Sequence, residues 1–117
     1  MEFKDILYEV KDDYAHVTIN RPKVLNAFTP ITLQELKTAL DSAEKDKNVG
    51  VIILSGAGGK AFCAGGDMNW ESSKEFQDHE YEFHIHLTKC SKPIIAKVDG
   101  YAIGGGNHMA YFCDLTI

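Results

Sequence analysis

The chain is short of the features that define several large classes of protein. Its 117 residues include only 3 prolines, 3 cysteines and 1 tryptophan. No segment approaches the ~20 consecutive apolar residues that a membrane-spanning helix requires, and the amino-terminal segment lacks the apolar core of a signal peptide. An odd number of cysteines at irregular spacing does not form a disulfide framework, so we expect reduced thiols in a cytoplasmic protein.

Basic residues are also in the minority. The sequence has 12 lysines and arginines against 17 aspartates and glutamates, a formal net charge of −5. This balance disfavours nucleic acid and an anionic membrane surface as partners. The rest of the composition, 44% hydrophobic and 25% charged, is that of an ordinary globular protein. No repeat or linker divides the chain, so we expect one domain at most.

The first part of the chain predicts a β-hairpin followed by a helix. Strands are predicted over Phe3–Val10 and Ala15–Ile19, because the second alternates apolar and polar residues with many β-branched side chains. Thr29–Pro30 is typical of a helix start, with threonine as the N-cap and proline in the first turn. Thr32 and Glu35 predict a capping box one turn further on.

The rest of the chain alternates strands with helices. Continuous apolar runs at Gly50–Ser55 and Ile94–Val98 predict strands that are covered on both faces. A helical stretch from Ser72 to Cys90 separates them, and a short helix, Asn107–Phe112, and a strand, Asp114–Ile117, follow. This order predicts an α/β fold. Because the last strand needs further partners and layers, we expect the chain to be part of a longer domain.

Two glycine-rich loops, Gly56–Asp67 and Gly100–Gly106, carry more glycine than a turn requires. Their spacing fits neither the Walker phosphate loop nor the dinucleotide-binding pattern. Glycine also allows a backbone to approach a ligand closely with its N–H groups directed at it. Two such loops can direct one N–H each at a single oxygen, supported by the positive end of the helix after Gly105. Tight turns without a ligand are the alternative interpretation.

Four sequence blocks carry a resemblance to a known family. They are Asn20–Pro22 with Asn26–Phe28, Ala61–Asp67, Lys92–Ala96 and Gly100–Gly106. In this order the chain resembles the crotonase (enoyl-CoA hydratase/isomerase) superfamily, whose members are longer. The resemblance implies a crotonase-like ββα spiral within the α/β class, truncated after its first half. Residues 1–117 are then the amino-terminal part of one acyl-CoA-binding domain.

The resemblance also implies a ligand and a site. The expected partner is an acyl-CoA thioester, with coenzyme A as part of the substrate and with no separate cofactor and no metal. The expected assembly is a trimer or a dimer of trimers. The backbone N–H groups of Gly66 and Gly105 would form an oxyanion hole. Further substrate-binding positions lie on the loops around them: Lys23, Leu25, Ala64, Gly65, Asp67, Met68, Tyr101 and Gly104.

Two further blocks, Gly50–Gly58 and Cys113–Ile117, resemble dihydroxynaphthoyl-CoA synthase and 2-ketocyclohexanecarboxyl-CoA hydrolase, and Asn107 favours the hydrolase. Where ordinary hydratases have a catalytic glutamate, this sequence has His108, which either moves a proton or is merely packed. The leading prediction is a lyase or hydrolase that hydrates or opens an alicyclic, ring-derived CoA thioester. The alternatives are ordinary 2-enoyl-CoA hydration and, in another class, a non-catalytic CoA-binding or assembly fragment.

Other polar and aromatic residues receive simpler predictions. Trp70 and Tyr81 are candidates for an active-site aromatic, with a core or trimer contact as the alternative. Cys63 lies near the expected thioester, but nothing beside it in the sequence favours a thiolate. The charged run Glu71–Glu82 predicts a solvated helix face. His84 and His86 are two residues apart on the predicted helix, so they cannot bind one metal ion together. With His79 they are predicted to be surface or interface residues.

Overall fold

The structure is a computed structural model that describes residues 2–69 and 73–117. In chain order its elements are β1 (Ile6–Lys11), β2 (Tyr14–Ile19), α1 (Pro30–Lys45), β3 (Val51–Gly56), β4 (Ala61–Cys63), α2 (Lys74–Lys89), β5 (Ile94–Ala96), β6 (Tyr101–Ala102), α3 (Gly105–Phe112) and β7 (Leu115–Thr116). Every predicted helix and strand is present with displaced ends. β4 and β6 were not predicted.

The main sheet has the strand order β1-β2-β3-β5-β7. β1 and β2 form the predicted antiparallel hairpin, and Asp12 at its turn adopts a φ of 56°, a left-handed conformation that aspartate tolerates. The remaining neighbours pair in parallel. Parallel pairs joined through helices confirm the α/β class.

The core lies between one face of this sheet and the helices α1 and α2, which contact each other. Leu33, Leu36 and Leu40 recur on one face of α1 and are at most 2% exposed. Ile52 on β3 is equally buried, whereas Ile53 on the opposite face is only half-buried. The prediction that β3 is covered on both faces is therefore wrong for the described residues, because the core cluster that includes both helices lies on the Ile52 face.

Thr29 is the N-cap of α1, as predicted, but the capping box does not involve Glu35. Thr29 and Thr32 form the capping box by reciprocal bonds between backbone N–H and side-chain oxygen, at 3.1 and 3.4 Å. The Glu35 carboxylate instead accepts the backbone N–H groups of Lys4 and Asp5, at 2.8 and 2.7 Å. β1 begins later than predicted because Glu35 binds the amides that precede it.

The other two helices also begin at identifiable residues. Ser73 caps α2 by accepting the Phe76 N–H at 3.0 Å, and the predicted start at Ser72 lies outside the described residues. α3 begins at Gly105, earlier than the predicted Asn107, so that its first turn lies within the glycine triplet. Of the helices in the described part of the chain, none is both long and apolar enough to cross a bilayer.

Candidate active site

The two glycine-rich loops leave adjacent strands. β4 and β6 pair in parallel in a small second sheet, and backbone bonds from Tyr101 N–H to Lys60 C=O and from Ile103 N–H to Cys63 C=O, both 3.1 Å, continue the pairing. The carboxyl ends of parallel neighbours lie at the same edge of a sheet. The segments 64–67 and 103–105 therefore start side by side.

The direction of the Gly66 amide is fixed by hydrogen bonds on either side of it. Phe28 donates its N–H to the Gly65 carbonyl at 2.9 Å, and Asp67 donates its N–H back to the Phe28 carbonyl at 2.8 Å. A trans peptide holds its C=O and N–H in opposite directions. Because the Gly65 carbonyl points at Phe28, the Gly66 N–H points away from it.

The Gly105 amide lies at the amino terminus of α3. The Gly104 carbonyl accepts the His108 N–H at 3.0 Å, so the Gly105 N–H points out of the helix end, where the helix dipole is positive. The Gly105 nitrogen lies 3.4 Å from the point that a Cβ on Gly65 would occupy, which makes it a spatial neighbour of the Gly66 amide. Within residues 2–69 and 73–117, neither amide donates a hydrogen bond to a protein group.

Two glycines permit this close approach. Gly65 has a φ of +100°, and a Cβ there would come within 2.9 Å of the Ile103 carbonyl oxygen. Gly106 packs α3 against β4, and a Cβ there would overlap the Cys63 carbonyl. Larger residues at these two positions would push the loops apart.

The loop that carries Gly66 is tied down by Arg21. Its guanidinium lies 3.5 Å from the Asp67 carboxylate and 3.9 Å from the Asp5 carboxylate, and it donates to the Ala27 carbonyl at 2.5 Å. Asp67 also accepts the Asn69 N–H at 3.0 Å, so it orders its loop by bonding to the backbone. These bonds hold the Gly66 peptide before any ligand arrives.

Asn26 connects the Arg21 segment to the strand β4. It is fully buried at a φ of 58°. Its side-chain oxygen accepts the Arg21 N–H at 2.8 Å, and its amide nitrogen donates to the carbonyls of Ala57 and Ala61 at 2.9 and 2.8 Å. Every polar atom of this side chain is thus used to connect the loops.

An apolar cavity of about 610 Å³ lies between α2 and α3. An added Cβ on Gly105 would overlap Glu80, which lines this cavity, so the cavity adjoins the amide pair. His108, predicted either to move a proton or to be merely packed, also lines it and is exposed. The full lining is Gln77, Glu80, Tyr81, His84, Ile85, Thr88, His108, Tyr111 and Phe112.

His84 contradicts its predicted position on the surface. It is only 8% exposed, because α3 covers it: its ring centroid lies 5.8 Å from that of His108 and 5.2 Å from that of Phe112. Both of its ring nitrogens are buried without a hydrogen-bond partner among the described residues. Burial, and then the neighbouring His108, lowers the pKa of His84 to about 4, so its ring is neutral at pH 7.

The other α2 predictions have mixed outcomes. His86 bonds to Asp41 of α1 at 2.8 Å, and His79 lies 3.9 Å from Glu75 near the surface. Tyr81 is 68% exposed, so it is not a core residue, and Trp70 lies outside the described residues.

The charged run that contains Glu80 is solvated as predicted at Lys74, Glu75, Asp78 and Glu82, and Glu80 is the exception among its described charged residues. Glu80 is half-buried beside Gly105, which sequence periodicity gave no means of finding. The pKa of the Cys63 thiol is raised to about 12 by burial; a Gly65 backbone hydrogen bond opposes the rise, and the Glu80 charge adds to it. Cys63 is therefore a thiol, in agreement with the prediction. No cluster of potential metal ligands occurs in the described part of the chain.

A second, smaller cavity of about 270 Å³ lies beside the Arg21–Pro22 segment, where Lys23 and Leu25 were predicted to contact a ligand. Lys23 and Lys60 both line it and are exposed. The Leu25 carbonyl accepts the Ala64 N–H at 3.0 Å, which connects this cavity to the Gly66 loop. Lys60 was missed because the sequence places it far from Lys23.

The remaining predicted binding residues surround the amide pair with unequal exposure. Ala64 is half-buried and Gly104 is exposed, and both are on the loops that carry the two amides. Met68 and Tyr101 are 87% and 60% exposed.

Neighbouring backbone amides next to an apolar cavity, at the carboxyl ends of paired strands, define an α/β protein with a candidate site for a negatively charged oxygen. The sequence model of the family "Enoyl-CoA hydratase/isomerase" matches residues 9–117. The chain belongs to this family.

Solved structures agree. An enoyl-CoA hydratase/isomerase (crotonase) from Legionella pneumophila is 36% identical over 99% of this chain and 48% of its own, with a TM-score of 0.90. An enoyl-CoA hydratase from Mycobacterium smegmatis is 38% identical over 95% of this chain and 47% of its own, with a TM-score of 0.85. An enoyl-CoA hydratase/isomerase from Xanthobacter autotrophicus is 31% identical over 98% of this chain and 46% of its own, with a TM-score of 0.91. The fold is therefore crotonase-like, and the chain spans about half the length of these structures.

Proposed function

We propose that this chain belongs to an acyl-CoA enzyme that stabilises the enolate or oxyanion of a thioester between the N–H groups of Gly66 and Gly105. The observation that carries the proposal is the adjacency of the two amides on neighbouring strand ends. Removing a proton beside the thioester carbonyl, or adding water to a conjugated double bond, moves an electron pair onto the carbonyl oxygen. Each amide then contributes about 3–4 kcal/mol to the transition state.

The substrate would extend along the two cavities. Lys23 and Lys60 flank the smaller one and suit the phosphates of coenzyme A, while Leu25 connects it to the Gly66 loop. The pantetheine chain would pass between Ala64–Met68 and Tyr101–Gly105. The acyl group would then enter the cavity between α2 and α3.

His108 is the proposed proton-transfer residue. It lies one helical turn beyond Gly105 on α3 and lines the acyl cavity, where an imidazole can act as a general acid or a general base. The Glu80 carboxyl lines the same cavity and is the second candidate for proton transfer. We therefore expect His108→Gln to lower kcat more than it raises KM.

The proposed substrate is an alicyclic CoA thioester that is hydrated or opened by hydrolysis. The volume and apolar lining of the α2–α3 cavity support a ring-derived acyl group, and Asn107 after the glycine triplet supports the hydrolase branch. Hydration of an ordinary 2-enoyl-CoA is the alternative.

The test uses the protein in the full length that its gene encodes. Turnover of 2-ketocyclohexanecarboxyl-CoA is compared with turnover of crotonyl-CoA, and the expected result is faster turnover of the ring substrate. Fast turnover of crotonyl-CoA alone would establish the alternative. Binding of both thioesters without turnover of either would instead identify a non-catalytic CoA-binding or assembly protein.

We also propose self-association into a trimer or a dimer of trimers. Large apolar side chains of α3 and the chain beyond it are exposed, among them Tyr111 at 79%, Leu115 at 61% and Ile117 at 72%. Exposed apolar patches of this kind mark contact surfaces, which another subunit or the rest of a longer domain can cover. A monomeric mass by light scattering of the full-length protein would exclude this assembly.

A further inference from the structure

We propose that His84 is a specificity-determining residue that hydrogen-bonds an oxygen atom of the acyl group, so that the cavity selects thioesters whose acyl group carries a carbonyl or a hydroxyl. This inference rests on the proposed acyl-CoA function and adds the chemical class of the acyl group. No role follows for His84 from the oxyanion site itself, because that site is made of backbone amides.

The ring nitrogens of His84 have no hydrogen-bond partner among the described residues. The residue is 8% exposed, and both nitrogens are buried. In that part of the chain these are the only buried side-chain nitrogen or oxygen atoms in this condition. Buried polar atoms are otherwise paired in native proteins, so an unpaired imidazole in a cavity wall indicates that a ligand atom pairs with it.

His84 lies further along the cavity from the amide pair than Glu80 does. Glu80 adjoins Gly105, and His84 lies four residues further on α2, about 6 Å along the helix axis at 1.5 Å per residue. His108 faces it from α3. An acyl group whose thioester oxygen lies at the amide pair would thus reach His84 a few bonds beyond the thioester.

The imidazole ring of His84 limits the kind of ligand atom that it can bind. Burial in a wall that includes Phe112 and Ile85 keeps the His84 ring neutral. The ionisable groups that line the cavity with it are Glu80 and Tyr81 from α2 and His108 and Tyr111 from α3. A neutral imidazole donates with one nitrogen and accepts with the other. It therefore suits a carbonyl or a hydroxyl oxygen and gains nothing from a saturated hydrocarbon.

The experiment compares two CoA thioesters that differ in a single oxygen. Dissociation constants of 4-oxocyclohexanecarboxyl-CoA and cyclohexanecarboxyl-CoA are measured by calorimetry with the full-length protein. We expect the oxo thioester to bind about ten-fold more tightly, since one net hydrogen bond has about that effect. His84→Phe should abolish this preference, because neither thioester then finds a hydrogen-bonding group at this point of the wall.

Two further variants make the result specific. His84→Gln keeps a donor and an acceptor in the wall and should retain part of the preference. His79→Phe changes a histidine of the same helix that does not line the cavity, and it should retain all of it. If His84→Phe does not fold, as judged by thermal unfolding, a His84→Leu variant is measured instead. Loss of the preference in His84→Leu would support the role of His84, and retention of the preference would overturn it.

The outcomes separate this inference from the proposed function. Equal binding of both thioesters by the unchanged protein would overturn the role of His84 and leave the acyl-CoA function standing. A preference that survives His84→Phe would overturn it as well, and His84 would then be a packed residue whose nitrogens bind water. Failure of both thioesters to bind would remove the proposed function itself.

Discussion

The loop that carries Gly66 and the cavity wall formed by α2 and α3 differ in whether their polar side chains have hydrogen-bond partners. In the loop the side chains of Arg21, Asn26 and Asp67 bond to one another or to the backbone, so the amide geometry exists before a ligand binds. In the wall His84 has no partner among the described residues, and the Tyr111 side chain is exposed. A site that stabilises charge benefits from such rigidity, because nothing has to reorganise during the reaction. A cavity wall that binds a ligand by hydrogen bonds instead needs polar atoms that no protein group has already paired.

The strongest test of the loop is to remove its central side chain. Asn26→Ala leaves the Arg21 N–H and the carbonyls of Ala57 and Ala61 without their partner, and it puts alanine at a positive φ. At about 1–3 kcal/mol for each unsatisfied buried group, we expect a loss of about 4 kcal/mol in the free energy of unfolding, measured by urea denaturation. Asn20→Ala, at an exposed position, should change it little. A loss below about 1 kcal/mol would mean that the loop is not rigid in the way described.

A second test moves the two amides apart without removing either of them. Gly65→Ala places a Cβ against the Ile103 carbonyl and the Gly105 nitrogen, so kcat/KM should fall by about 100- to 1000-fold, or about 3–4 kcal/mol. The matched control is Gly59→Ala, since Gly59 also has a positive φ of 75° but has no atom within 4 Å of the added carbon. Equal losses in the two variants would assign the effect to backbone strain rather than to the amide pair.

The wall predicts a dependence of stability on pH. Because the pKa of His84 is lowered to about 4 in the folded state, the unfolded chain takes up a proton near pH 6.5 that the folded chain excludes. The unfolded state therefore binds more protons in this range, and the His84 contribution is lost as the pH falls from about 6.5 to about 4, by up to about 3 kcal/mol. The difference in unfolding free energy between the unchanged protein and His84→Phe should follow this curve. A difference that is flat with pH would contradict the buried, unpaired state.

The smallest expected effect concerns the lysines of the second cavity. Lys60→Ala should weaken CoA thioester binding several-fold, about 1 kcal/mol, and the loss should shrink as salt is added, because both lysines are exposed. Lys47→Ala, an exposed lysine outside the lining of this cavity, is the control. A loss that does not change with salt would indicate a structural role of Lys60 and remove it from the proposed phosphate site.

Local patterns predicted the elements that have their own signals. The alternation of β2, the Thr29–Pro30 start of α1 and the β1–β2 hairpin are each confirmed. β4 and β6 contain three and two residues, too few for any periodicity, and they form because they pair with each other across the chain. Glu35 was assigned to the wrong partner for the same reason, since its bonds reach back to Lys4 and Asp5.

The α2 helix gives the sharpest division between sequence and tertiary structure. Phe76, Phe83 and Leu87 recur at helical spacing near one face of the helix and are buried, so local periodicity accounts for their burial. His84 lies 100° around the helix from Phe83, and its burial depends on α3, whose position follows from the β4–β6 pairing.

The sequence by itself determined the family, the α/β class and the glycines that allow two backbones to meet, because these are properties of local order and of residue type. Only the tertiary structure decided that β4 pairs with β6 beneath the two glycine-rich loops, that Lys60 lies beside Lys23 and that His84 is enclosed without a hydrogen-bond partner among the described residues. The reason is that such proximity depends on which strands pair and which helices pack, and these contacts join residues far apart in the chain.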